Sequence, residues 1–157
     1  MIAFIRAARS SSVASQFDWP PSTIGWFSRE FRSIYGQFRL ETTVDVMEDE
    51  IPAPLKTAIY RIIQEAVNNI VKHSGARGIW LTIRSIGQHI ELRIADNGNG
   101  FDPAKFSVPD ESARGLGLAS MRERAEATGG RLRFESKEGR GTAVIATWPT
   151  HKGNAVP

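Results

Sequence analysis

Four groups of residues in this 157-residue sequence have types and spacings suited to chemistry. The first is Glu65, Asn69, Lys72 and His73, set among apolar residues at Leu55, Ala58, Ile59, Ile62, Ile63, Ala66, Val67 and Ile70. That recurrence predicts a helix over 55–73 with one buried face. At about 100° per residue with Glu65 at zero, Asn69 falls near 40°, Lys72 near −20° and His73 near 80°. The apolar stripe covers about 60° to 140° on the same wheel, so the polar set lies at the rim of the core. A carboxylate, an amide and a cation gathered there suit an oxygen-coordinated metal and a phosphate chain. Mg2+ takes few protein ligands and leans on substrate phosphates. An Asn69 oxygen is one such ligand, Lys72 meets phosphate charge, and Glu65 orients or deprotonates an attacking group. The helix alone fits equally a Glu–Lys pair on a solvated edge.

The second group is Asp96-Asn97-Gly98-Asn99-Gly100-Phe101, directly after a predicted strand. Its glycines allow positive φ and a close backbone approach to a ligand. A buried Asp at a strand end accepts a hydrogen bond from an exocyclic amino group such as that of adenine. The bland alternative is a glycine-rich turn. A calcium loop is excluded, because glycines stand where oxygen ligands belong. The third group, Arg114-Gly115-Leu116-Gly117-Leu118, opens a predicted helix, where free N–H groups and the dipole suit phosphate. It is neither a dinucleotide fingerprint nor a Walker loop, and as a plain helix start it needs no ligand. The fourth is Gly141-Thr142, where Thr142 stands within reach of a water shared with Asp96; a strand Thr needs no such role.

Positioning these groups requires a particular set of elements. Ser22 or Thr23 caps a predicted helix to about Tyr35, and Phe38 to Val46 alternates as a strand. Ile79, Leu81 and Ile83, then Ile90, Leu92 and Ile94, alternate as two strands joined through Gly87. Leu116 to Thr128 reads as a helix closed by Gly129-Gly130. Leu132 to Phe134 and Val144 to Trp148 form a second hairpin. Hairpins separated by long helices imply an α+β fold. The architecture expected is a two-layer sandwich: a mixed, mostly antiparallel sheet of about five strands, covered on one face by about three helices. The stretch from Asp96 to Arg114 is long for a loop within a compact domain and is expected to be functional.

Composition narrows the class. Apolar residues make up 41% of the chain, enough for a core. No apolar run approaches the ~18 residues of a membrane span or the ~7–15 of a signal peptide. There is no cysteine, so disulfides and thiolate chemistry are excluded. A cytoplasmic setting is the default. The net charge is +3 and the arginines are scattered, which gives little footprint for specific nucleic-acid binding. The three histidines, His73, His89 and His151, have no metal-ligand spacing.

Taken in order, the motifs resemble a known family. "IYRIIQEAVNNIVKHSGA" resembles the asparagine box of the GHKL ATPase superfamily, and "ADNGNGF" resembles its first glycine box. "RGLGLASMRERAEATGGRLRFESKEGRGTAVIATWP" resembles the second glycine box and closing hairpin. The wording is most similar to the ATP-binding domains of bacterial sensor histidine kinases of the NarX/DesK-like group, and the match covers about 24–148. The resemblance implies ATP and Mg2+ under a mobile lid over about 97–118. Asp96 would receive the adenine amino group, directly and through a water shared with Thr142. Gly98, Gly100 and Phe101 would border the base. Asn69 would ligate Mg2+, beside Glu65 at the family's catalytic acidic position. Lys72, His73 and Arg114 would meet phosphates. Gly115 and Gly117, flanked by Leu116 and Leu118, would hinge the lid and present N–H groups.

The domain organisation expected is an N-terminal arm at 1–22, the ATPase-like domain at 23–149 and a tail at 150–157. A histidine kinase also needs an acceptor histidine on a dimerising helix, and no histidine precedes His73. The expectation is therefore a catalytic domain in a two-component system. It acts on a separate dimerisation and phospho-acceptor helix domain and, through it, on a response regulator, with no membrane contact of its own. Such a domain is cytoplasmic, as a soluble chain or as the cytoplasmic part of a membrane-anchored sensor. The alternatives are a GHKL-type anti-sigma serine kinase and a non-catalytic nucleotide-binding module.

Overall fold

Alternation of apolar residues decides which side of the sheet faces the core. In the computed structural model β1 is Arg39–Asp45, β2 Gly78–Ile86, β3 His89–Asp96, β4 Arg131–Ser136 and β5 Thr142–Pro149. The structure describes residues 29, 31, 33, 35–47, 50–106 and 113–150, with the backbone alone at 105, 106 and 113–116. The strands form one sheet in the order β1-β2-β3-β5-β4. β1 runs parallel to β2, and the other pairings are antiparallel. The sheet is thus mixed and mostly antiparallel, as the pattern implies.

Among the described residues, two long helices cover one face. Helix α1, Ala53–Asn69, buries Leu55, Ile59, Ile62, Ile63 and Ala66, the stripe read from its sequence. Helix α2, Ala113–Ala127, contributes Met121 and Ala125. These pack on Leu81 and Ile83, on Ile90, Leu92 and Ile94, and on Val144 and Trp148, all 6% exposed or less. Each large apolar side chain so removed from water is worth about 1.5–3 kcal/mol. The predicted helix over 22–35 lies largely outside the described residues. Positions 29, 31 and 33 are helical, and Phe31 is buried with its ring 5.1 Å from that of Tyr35. The arm at 1–22 and residues 151–157 of the tail are outside the described residues.

Two boundaries differ from the pattern, and both bear on the site. The predicted helix over 55–73 is α-helical only to Asn69 and continues as one wider π-helical turn, Ile70–Ser74. Gly75, at φ 64°, ends it in the left-handed conformation. Ser74 holds the wide turn: its Oγ donates to the Ile70 carbonyl at 2.8 Å and accepts the Ala76 N–H at 3.0 Å. A wider turn advances each residue through a smaller angle, so the helical wheel misplaces Lys72 and His73 while placing Asn69 correctly. Helix α2 begins at Ala113, three residues before the apolar pattern suggests, because glycine and arginine there give no apolar periodicity to read.

The far end of α2 is fixed. Gly129 takes φ 80°, and the Gly129 and Gly130 N–H groups bond to the Glu126 and Ala125 carbonyls at 3.0 and 2.8 Å. Trp148, buried in β5, donates from Nε1 to Thr128 Oγ1 at 2.9 Å. No helix among the described residues is long and apolar enough to cross a membrane.

Candidate nucleotide site

The site begins with a carboxylate in an apolar phase. Along β3 the residues facing the core are Ile90, Leu92, Ile94 and then Asp96, so the alternation that buries three isoleucine and leucine side chains also buries an acid. Asp96 is 7% exposed, flanked across the sheet by Ile79 on β2 and Thr142 on β5. Its Oδ1 accepts the Gly98 N–H at 2.7 Å. Burial pushes the Asp96 carboxyl above the ordinary carboxylate range, while hydrogen bonds from the Gly98 and Thr142 backbone N–H groups pull the other way.

The loop after Asp96 is locked onto the wide turn that ends α1. Asn97 Oδ1 accepts the Arg77 and Gly78 N–H groups at 3.0 and 2.9 Å, and the Asn99 N–H donates to the Ser74 carbonyl at 2.7 Å. Gly98 has no room for a side chain, since a Cβ there would lie 2.7 Å from both Asp96 Oδ1 and Ser74 Cβ. On the other side the loop is stitched to the β4–β5 hairpin: Gly139 N–H donates to the Asn99 carbonyl at 2.6 Å, and Phe101 N–H donates to Ser136 Oγ at 2.8 Å.

A cavity of about 50 Å3 opens above Asp96. Asn69 and His73 line it from the helix side, Gly100 and Phe101 from the loop, and Leu118 and Met121 from α2. Thr142, Val144 and Ile94 form its sheet side. The sequence-predicted residues Asn69, His73, Asp96, Gly100, Phe101, Leu118 and Thr142 therefore converge, although they come from five segments. Thr142 Oγ1 lies 2.8 Å from Ser136 Oγ, a partner with no signal in the residue pattern.

Glu65 and Asn69 meet α2 directly. A Cβ on Gly117 would collide with Glu65 Oε1 and come within 3.2 Å of Asn69 Nδ2. The lack of a side chain at 117 is what lets the helix rest on this pair. Asn69 Nδ2 is buried there without a hydrogen-bond partner. Such a group costs about 1–3 kcal/mol, and it is kept where something else uses it. Glu65 does not line the cavity but sits beside it; Lys72 is exposed and outside the lining. Gly117 is the fifth residue of α2, and only the first four N–H groups of a helix lack partners. Its contribution is close approach. The side chains of Arg114 and Leu116 lie outside what the structure describes, as does the immediate surround of Gly115.

Residues missed from sequence are Ser74, Ser136 and Met121. Met121 was readable as core on the helix face. Ser74 and Ser136 carried no signal, because their partners are backbone groups brought close only by the fold.

A two-layer sandwich with a buried Asp at a strand end, facing a helix-edge amide across a cavity, is the form of an ATPase domain. The family described as "Histidine kinase-, DNA gyrase B-, and HSP90-like ATPase" matches residues 55–152, more than half of the chain, and the protein belongs to it. Among curated relatives, the sensor histidine kinase MctS of Rhizobium johnstonii is 37% identical over 112 residues, covering 70% of this chain and 24% of that protein. Sensor histidine kinase ComP of Bacillus subtilis is 43% identical over 83 residues, 53% of this chain and 10% of ComP. The chain thus spans a quarter or less of these relatives' lengths. The histidine kinase domain of the Erythrobacter litoralis EL346 blue-light activated kinase superposes with a TM-score of 0.66 at 19% identity, covering 80% of this chain and 58% of that one. The fold is that of the histidine kinase ATP-binding domain.

Proposed function

We propose that this chain is the catalytic domain of a sensor histidine kinase and that it binds Mg·ATP in the cavity between Asp96 and Asn69. The observation that supports this best is the buried Asp96 carboxylate, which lines the cavity and keeps acceptor capacity beyond its bonds from the Gly98 and Thr142 backbone N–H groups. Adenine fits it, since the 6-amino group donates to a carboxylate. Thr142 borders the same edge, and Gly98, Gly100 and Phe101 shape the loop against the base. The triphosphate then extends toward His73, Lys72 and the N-terminal turn of α2, where Arg114, Gly115 and Leu116 lie. Helix N–H groups and cationic side chains are suited to it.

The donor set suits magnesium. The Asn69 side-chain oxygen is the metal ligand, with Glu65 one helical turn away, while the buried, unpartnered Asn69 Nδ2 is a donor suited to a phosphate oxygen. Among the described residues no group of three or more His, Asp or Glu gathers, so a cation here depends on a few protein oxygens and the nucleotide. Bound there, Mg2+ would neutralise phosphate charge. The protein's own work is positioning. Asn69 holds the phosphate end, and Glu65 orients the incoming nucleophile. The γ-phosphoryl passes to a histidine nitrogen on a partner helix domain, forming a P–N bond as the bond to ADP breaks. A response regulator receives the group from that histidine.

A cavity of about 50 Å3 is too small for a nucleotide, which needs about 300 Å3 or more. Leu118 and Met121 line it from α2, with Gly117 resting on Glu65 and Asn69 beside it, so binding requires the N-terminal end of α2 to lift away. Its C-terminal end is pinned by Trp148 and Thr128. The part of the lid expected over 97–118 that yields is the start of α2, while 97–101 stay tied to the turn after α1 and to the β4–β5 hairpin. The domain proper spans 23–149, preceded by an arm at 1–22 and followed by a tail at 150–157, and it works in the cytoplasm.

Calorimetric titration with Mg·ATP tests the binding, with a dissociation constant of about 1 μM–1 mM expected. A flat trace at millimolar ATP with folded protein overturns it. The chain alone should not label itself with γ-phosphate, and should label a separately supplied histidine-bearing helix domain. Labelling of a serine on a partner protein instead would favour the anti-sigma type of kinase.

A further inference from the structure

One hydroxyl in the pocket wall is more tightly committed than its neighbours. Ser136 Oγ, at the end of β4, accepts the Phe101 N–H at 2.8 Å, donates to the Gly141 carbonyl at 3.1 Å and lies 2.8 Å from Thr142 Oγ1. A serine hydroxyl carries one hydrogen and two lone pairs. The Phe101 N–H occupies one lone pair. The Gly141 carbonyl has no hydrogen, so the one between them is Ser136's own. The contact to Thr142 is then made with Thr142's hydrogen, donated to Ser136. The opposite arrangement would strand the Thr142 hydrogen, because Thr142 Oγ1 has no other hydrogen-bond partner among the described residues. Satisfying the network therefore assigns both hydrogens.

The backbone around Ser136 keeps this arrangement in place. Gly100 and Gly141 take φ 62° and 77°. A Cβ on Gly100 would meet the Lys137 carbonyl and lie 2.7 Å from the Gly141 carbonyl oxygen, so that approach is open to glycine alone. Both loops thus deliver their groups to Ser136 in fixed directions. With its hydrogen held by Ser136, Thr142 turns only lone pairs toward the cavity that it lines together with Asp96.

We propose that Ser136 is a specificity-determining positioning residue: it fixes Thr142 as an acceptor and so makes this edge of the pocket select a 6-amino purine over a 6-oxo purine. This rests on the ATP reading above. A 6-amino group brings hydrogens to an edge made of acceptors. A 6-oxo group brings lone pairs to the lone pairs that a 6-amino group would meet with hydrogens, and the analogue's one hydrogen on this edge sits on N1 instead, so the pairing at position 6 is lost. A Thr142 hydroxyl released from Ser136 rotates and donates to the keto oxygen, restoring part of the lost affinity.

The test is binding of ATP, ITP, adenosine and inosine to the whole chain, measured for the wild type, Ser136→Ala and Ser136→Thr. The wild type should prefer the adenine member of each pair. Ser136→Ala should shrink that preference by about tenfold, the worth of one hydrogen bond, and Ser136→Thr should keep it. A purely structural role would weaken all four ligands together and leave both ratios unchanged, and that result overturns the proposal while leaving the ATP reading intact. A wild type that binds no purine ligand overturns both. If Ser136→Ala does not fold, Ser136→Cys retains the volume with a poor hydrogen-bonding group. Its preference should fall likewise, and an unchanged preference overturns the proposal.

Discussion

Replacing Asp96 with asparagine separates the cost of the site from its use. In the ligand-free protein the carboxylate is 7% exposed, and burial holds its pKa above the ordinary value despite two backbone N–H donors. A carboxyl whose folded pKa is raised stabilises the fold below its unfolded pKa, and that contribution is lost as pH rises through the folded value. At neutral pH, then, Asp96 burdens the fold relative to a neutral isostere, because its folded pKa is raised. Asn keeps the shape, and its carbonyl still accepts from Gly98. The expectation is that Asp96→Asn leaves Tm unchanged or raises it by a few degrees at pH 7, and that the difference vanishes below about pH 4, where Asp96 is neutral in both folded and unfolded chains. Binding should move the opposite way. A hydrogen bond to an ionised acceptor is worth about 1.5–3 kcal/mol, so ATP affinity should fall about 10- to 150-fold. Adenosine, free of phosphate titration, should bind the wild type less well as pH falls through the raised Asp96 pKa, because its amino group needs the ionised form. His73 also lines the cavity, and a pH-independent Asp96→Asn isolates the carboxylate from it. Calorimetry and thermal melts across pH supply both readouts. A variant that melts several degrees lower and binds ATP within twofold of wild type would show that Asp96 is a structural acid, and the reasoning fails.

Two further substitutions probe the phosphate end and the hairpin. Lys72→Ala should weaken ATP by several-fold and leave adenosine unchanged, because Lys72 lies outside the cavity lining and reaches only extended phosphates; equal losses in titrations of the two ligands remove it from that role. Gly141→Ala places a Cβ against the Asp96 carbonyl at φ 77°, so thermal melting should show a loss of about 1–3 kcal/mol, and an unchanged Tm would mean the loop relaxes freely.

The sequence announces the sheet, α1 and the buried Asp96, because period-two and period-3.6 patterns survive wherever a face is packed. Asn69 was placed correctly on the wheel, since the α-helix holds to that residue. Lys72 and His73 were not, because a π-helical turn has no compositional mark of its own; Ser74, which holds it, is an ordinary serine until its backbone partners are seen. The start of α2 was unreadable for a related reason. Ala113 to Gly117 include one arginine and two glycines, so no apolar period reports on them. Thr142 was found through its motif. Its partner Ser136 was not, since a hydroxyl that serves one N–H, one carbonyl and one side chain is defined by three-dimensional proximity alone.

The site divides into a rigid part and a yielding part, and the division follows from where its atoms sit. Asp96, Thr142 and Ser136 belong to paired strands and are tied to the loops by bonds of 2.6–3.1 Å from Gly98, Phe101 and Gly139 to the opposing residues. Base recognition needs fixed donors and acceptors, and a sheet end supplies them. The roof is different. Helix α2 touches Glu65 and Asn69 through a residue with no side chain, leaving the Asn69 amide without a partner. A contact that buries an unsatisfied polar group is weaker than one that does not. On the nucleotide-binding reading proposed above, a phosphate that satisfies Asn69 offsets part of the cost of lifting the helix. Movement of α2 is then coupled to phosphate binding, while the strand-end carboxylate and hydroxyls stay in place.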